Sequence, residues 1–191
     1  MSSLPIPGRL GLLAVAVCAF AACGKDDAAA TPQPTASGPQ LVSAPPPRDA
    51  LPDCPRLASA LGDLVEGLDV VDAAGTRQDS PESYGISCAW RAQEDGAAVG
   101  AIVIVDTAPL TAAEMQRAGM YVEDPRVAAL GGFVAIPDAV LDGNAPLGPV
   151  GPQVIVGPVT VTLAGNGRGR AAEITLDQAV DGAVSVHRSM R

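Results

Sequence analysis

Few side chains in this 191-residue chain are equipped for chemistry, and four of them are cysteines. Cys23 closes the run Ala19-Phe20-Ala21-Ala22-Cys23, after which Gly24, Lys25, Asp26 and Asp27 turn the chain abruptly polar. A thiol directly behind two small residues is the pattern read by bacterial lipoprotein processing enzymes. The sulfur takes a diacylglyceryl group and the cysteine becomes the new N-terminus. Phe20 stands where such motifs usually carry Leu, Val or Ile, and Cys18, behind bulky Val17, offers a second, weaker position. An ordinary cleaved signal and a retained short anchor are the alternatives. With Cys18 discarded and Cys23 lipidated, Cys54 and Cys88 are left, and two leftover thiols in an oxidising compartment are expected to pair. The bridge would close a loop of about 35 residues, worth ~3–4 kcal/mol in the chain-entropy account. A redox or metal role fits this pair poorly, because the spacing is far from Cys-x-x-Cys and the chain has one histidine.

That histidine, His187, falls on the apolar face of a C-terminal helix. There the helix dipole favours a cation and a ring nitrogen could reach a carbonyl, so a structural role is expected. Ser80, Ser83 and Ser87 sit in turn-like or strand context and no Gly-x-Ser-x-Gly elbow occurs, which leaves Ser-His-Asp hydrolysis unsupported. The glycines and arginines of AGNGRGR, residues 164–170, suggest a phosphate loop but lack the Gly-Lys-Ser/Thr ending. A flexible turn with positive φ at Asn166 and Gly167 is expected instead. Glu94-Asp95, Glu123-Asp124 and Asp142-Gly143-Asn144 lack the alternating oxygens and closing glutamate of a calcium loop and read as solvated loop charges. No motif implies a cofactor or a metal. Trp90 reads as core packing beside the disulfide rather than a glycan-stacking ring.

These residues need elements to hold them. Pro55 suits a first helical position, and Leu57, Leu61, Leu64 and Leu68 recur at helical spacing, which predicts a first helix ending near Gly67. Ile86, Cys88 and Trp90 alternate with Ser87, Ala89 and Arg91, the period of a half-buried strand, so the bridge would staple that helix to a sheet. After the turn-like residues 93–96, AAVGAIVIVD is apolar nearly throughout and predicts a strand covered on both faces, with helices as the cover. Thr111 with Glu114 forms a capping box for a short helix running toward Met120. Residues 131–137 read as a strand, and residues 152–165 as a hairpin or one strand broken at Gly157-Pro158. Thr175 with Gln178 caps a last helix whose Leu176, Ala179, Val180, Ala183, Val184, His187 and Met190 share a face. The order implies an α+β domain with a mostly antiparallel sheet flanked by helices.

Domain organisation follows from composition. Residues 1–22 have one charge at Arg9 and an apolar core from Leu10 to Phe20, the layout of a signal peptide, short for a membrane span. Residues 23–52 comprise the lipidated Cys23 and an Ala/Pro-rich stretch with no apolar periodicity, a disordered tether averaging roughly 30 Å. Residues 53–191 suffice for a single domain. The net charge of −9 grows by one when Arg9 leaves with the signal; such acidity argues against nucleic acid and against adsorption to anionic lipid.

The Cys23 motif, the tether, the pair Cys54 and Cys88, and the triplet Cys88-Ala89-Trp90 together resemble a family of actinobacterial secreted lipoproteins with a domain of unassigned function. The resemblance covers roughly residues 50–191 and implies an α/β sandwich similar in outline to PsbP-like domains, held on the outer face of a membrane, with no catalytic residues. Two function classes follow. One is a non-enzymatic module binding an envelope protein or a small apolar ligand in a cleft between sheet and helices. The other is an envelope hydrolase with a carboxylate pair that sequence does not reveal.

Overall fold

The computed structural model describes residues 44–191. Helix α1 (Cys54–Leu61) begins as its sequence dictates: Asp53 accepts from the Arg56 amide at 2.9 Å, and Pro55 occupies the first turn. It ends at Leu61, six residues before the expected stop at Gly67. Gly62 adopts φ +55°, a left-handed conformation that only glycine takes cheaply, and a 3-10 turn carries the chain on to Leu64.

An eight-stranded antiparallel sheet follows, built from β1 (Asp69–Val70), β2 (Thr76–Asp79), β3 (Ser83–Arg91), β4 (Ala98–Asp106), β5 (Tyr121–Val122), β6 (Phe133–Ala135), β7 (Gln153–Val156) and β8 (Val159–Gly165). Its order is β1-β3-β4-β8-β7-β6-β5, with β2 pairing β3 beyond β1. Residues 152–165 form a hairpin, β7 and β8 in register from Gln153 against Thr162 to Val156 against Val159. The expected α+β architecture, with its mostly antiparallel sheet and flanking helices, is the one observed, completed by α2 (Ala112–Arg117), α3 (Pro125–Ala128) and α4 (Leu176–Ser189). Both expected capping boxes form, Thr111 with Glu114 and Thr175 with Gln178.

The sheet's two faces are treated differently. Inward, Ile86, Cys88 and Trp90 of β3, Val99 to Val105 at alternate positions of β4, and Val161 and Leu163 of β8 pack under α1 and α4 in one continuous core. Outward, α2 covers only the far end, where Phe133, Ala135 and Ile155 pack with Met115, Met120 and Tyr121. The expectation that β4 is covered on both faces is therefore corrected: Ile102, at the middle of its outer face, is 40% exposed. No helix among the described residues covers it, because α1, α3 and α4 contact the sheet from the side of the main core.

Close packing of α4 on α1 depends on Gly182. A Cβ there would lie 2.5 Å from Leu64 Cδ1 and 3.2 Å from Leu61 Cδ2, so a side chain would oblige those leucine methyls to repack. The segment before α1 is also part of the packed unit. Leu51, placed in the tether by its neighbours' composition, is 6% exposed within the core. Tyr84 donates its hydroxyl to Pro46 O at 2.6 Å, and Arg48 stacks on the Tyr84 ring, pairs with Asp79 and donates to Ser80 O.

Candidate functional site

Cys23 lies outside the described residues. Cys54 and Cys88 are bridged, with Cα atoms 5.5 Å apart, and the link ties α1 to the centre of β3. The first residue of α1 and an inward position of β3 supply the two sulfurs, and both residues are buried. Trp90, 2% exposed, lies on the same inward face as Cys88.

His187 is buried on the core face of α4, and its Nε2 stands 3.0 Å from Val154 O of β7. A carbonyl only accepts, so Nε2 carries the proton and Nδ1 the lone pair. The ring is not poised as a cation. Burial pushes its pKa below the ordinary value of 6.5, the Val154 carbonyl opposes that, and the Arg191 guanidinium adds to the lowering. Desolvation thus overrides the helix-dipole effect expected at this end of the helix. Beside it is a small cavity of about 40 Å³, lined by His187, Met190, Arg191, Val156, Val159 and the segment Ala44 to Pro46.

A second concavity is polar. It measures about 540 Å³ and is lined by Gly67, Asp69, Ala92, Gln93, Glu94, Asp95 and Arg170. Asp95 is exposed in its turn, as expected of a loop charge, and its Oδ1 also accepts from the Ala97 amide at 2.8 Å and so shapes the turn into β4. Asp69 accepts from Gln93 Nε2 at 3.3 Å, and Arg170 is fastened to Asp63 O at 3.0 Å. The turn at residues 164–170 is less free than expected. Asn166 Oδ1 accepts from the Ala98 and Arg168 amides and Nδ2 donates to Gly96 O, locking the end of β8 to the β3–β4 turn, while Gly167 and Gly169 supply the positive φ angles.

The sequence reading missed the most charged constellation. Asp124, read as a solvated loop charge, is 6% exposed, accepts from the Arg126 amide as the N-cap of α3, and takes Nε and Nη2 of Arg126 at 3.0 and 2.7 Å. Arg126 also reaches Asp177 and Asp181 of α4 at 2.8 and 3.0 Å. Hydrogen bonds from Arg126 hold the Asp124 carboxyl below its usual range against the opposing effect of burial, and Arg126 is correspondingly raised. The signal available in sequence was the Asp-Pro-Arg order, an N-cap followed by proline at N1. The acidic partners on α4 are more than 50 residues away and left no trace. Such a cluster clamps α3 to α4, and a carboxyl kept ionised is the reverse of what a general acid requires.

Among the described residues no three His, Cys, Asp or Glu side chains converge as metal ligands, and no helix is long and apolar enough to cross a membrane. Compared with known proteins, the chain matches no family model, no curated protein and no solved structure.

Proposed function

We propose that this protein is an extracytoplasmic lipoprotein, anchored through acylated Cys23, whose α+β domain is a non-enzymatic module for an envelope protein partner. The Cys54–Cys88 bridge carries the reading. A domain that builds its first helix on a disulfide suits an oxidising compartment, which is where a chain with the Ala21-Ala22-Cys23 motif would be delivered. Its likeness to actinobacterial secreted lipoproteins belongs to the same proposal.

Cavity sizes favour a protein partner over a small apolar ligand. The apolar cavity at His187 is about 40 Å³ against the several hundred that an organic ligand fills, whereas the carboxylate-lined groove of about 540 Å³ can take a partner's side chains. Binding is favoured over carboxylate hydrolysis because Asp69 and Asp95 of that groove are already held by Gln93 and the Ala97 amide.

Cell fractionation with radiolabelled palmitate tests it. The wild-type chain is expected to be labelled and membrane-bound, and Cys23→Ser unlabelled and released. A Cys23→Ser chain that stays uncleaved in the membrane, or Cys54 and Cys88 thiols that alkylate in cells without reduction, overturns the proposal.

A further inference from the structure

The cavity beside His187 has two kinds of wall. Val156, Val159, Met190 and His187 itself belong to the sheet and α4, which are stapled into the core. Ala44, Pro45 and Pro46 belong to a strap that joins the domain to the preceding 43 residues. Among the described residues, that strap is held by few bonds. They are Tyr84 Oη to Pro46 O, the stacking of Arg48 on Tyr84, its pairing with Asp79, and its bond to Ser80 O. All but the first act through one exposed arginine, and exposed pairs of this kind contribute little.

With Nε2–H given to Val154 O, the ring's remaining nitrogen can gain a proton only at Nδ1. Among the described residues, no wall of the cavity offers a carboxylate, amide or hydroxyl side chain to that proton. Proline and alanine come from the strap, valines come from β7 and β8, and Met190 and Arg191 directly follow α4. Arg191 is the one charged group among the described residues of the lining, a cation, and it is itself tied to Leu130 O at 3.1 Å. The remaining titratable groups on or near the strap are Asp49, exposed on the strap itself, Tyr84, whose hydroxyl is given to Pro46, Asp79, paired with Arg48, and Arg77, which donates to Leu51 O. A protonated His187 would be a cation beside another cation, in a cavity with room for only a few waters to hydrate it. Opening the strap relieves that at the smallest structural cost.

We propose that residues 44–50 are a pH-gated strap, docked over neutral His187 and released when His187 is protonated. The sign follows from linkage. The ring holds its proton more weakly under the docked strap than beside an open one, so docking is complete above about pH 6.5 and weakens as pH falls below it. One proton is involved, so the docking constant falls by at most about tenfold per pH unit. Release frees seven residues, which extend the linker by about 20 Å. If Cys23 is anchored as proposed above, that is added reach from the membrane; the gate itself does not depend on the anchor.

Trypsin supplies the test on the full chain in detergent, because the chain offers matched sites at Lys25-Asp26 and Arg48-Asp49. The ratio of cleavage at Arg48 to that at Lys25 reports strap opening independently of the protease's own pH profile. The ratio is expected to rise several-fold between pH 7.5 and 5.5 in the wild type and to stay flat in His187→Gln. A flat wild-type ratio, or the same rise in His187→Gln, overturns the proposal. Tyr84→Phe keeps the question answerable should His187→Gln not fold. Linkage is reciprocal, so loosening the strap must raise the His187 pKa read by NMR, and an unchanged value refutes the gate. Because neither readout uses membrane fractionation, its failure is distinct from failure of the lipoprotein reading.

Discussion

Reducing the Cys54–Cys88 bridge should remove much of the domain's stability. The bridged residues are 34 apart in sequence, and closing a loop of that length restricts the unfolded chain by ~3.8 kcal/mol in the entropy account. Domains of this size have only about 5–15 kcal/mol in hand. Because both cysteines are buried, reductant must be added to the unfolded chain before refolding is assayed. With a urea slope of ~2 kcal/mol per M, the unfolding midpoint should fall by ~2 M on reduction, and Cys54→Ala/Cys88→Ala should match or exceed that. Circular dichroism through a urea series reads both. Oxidised and reduced midpoints within ~0.3 M of one another would refute the argument, and with it the idea that α1 needs its covalent tie to β3. The compartment inference would lose its support as well, since a domain indifferent to reduction could fold anywhere.

Arg126→Met should cost about 2–3 kcal/mol by thermal unfolding. It leaves Asp124 buried with only backbone amides for company, whereas Asp181→Asn, more than half exposed, should stay within ~0.5 kcal/mol. Equal effects would mean that the cluster does not act through the buried aspartate. Gly182→Val should destabilise by about 2 kcal/mol by crowding the methyls of Leu64, Leu61 and Leu163, and a stabilised variant would show the close approach to be dispensable. Stability of the wild type should be full above about pH 6.5 and decline as pH falls from there toward the lowered folded-state pKa of His187, because the unfolded chain takes up that proton first. His187→Gln should remove this component, measured as urea midpoints from pH 7.5 to 5.5; a wild type with no such slope would refute it.

The sequence by itself determined whatever depends on neighbours along the chain. Pro55, both capping boxes, the alternation through Cys88 and Trp90, and the apolar face of α4 are local patterns, and each element they predict is present. Elements without such a pattern stayed hidden. All four residues of β2 (Thr-Arg-Gln-Asp) are exposed on a sheet edge, so no burial shaped their alternation, and β1 and β5 have two residues each, too few to show a period. The stop of α1 at Leu61 stayed hidden as well, because the recurring leucines continue to Leu68 through a 3-10 turn that still feeds the core. Which face of β4 is covered, which carbonyl His187 takes 33 residues away, and which acids on α4 meet Arg126 were decided only when distant segments docked. Hydrophobicity along a strand reports that burial is affordable on each side, but only the positions of the helices decide which side receives it. That is why Ile102 faces solvent, and why a histidine read as favouring a cation is held neutral in the core.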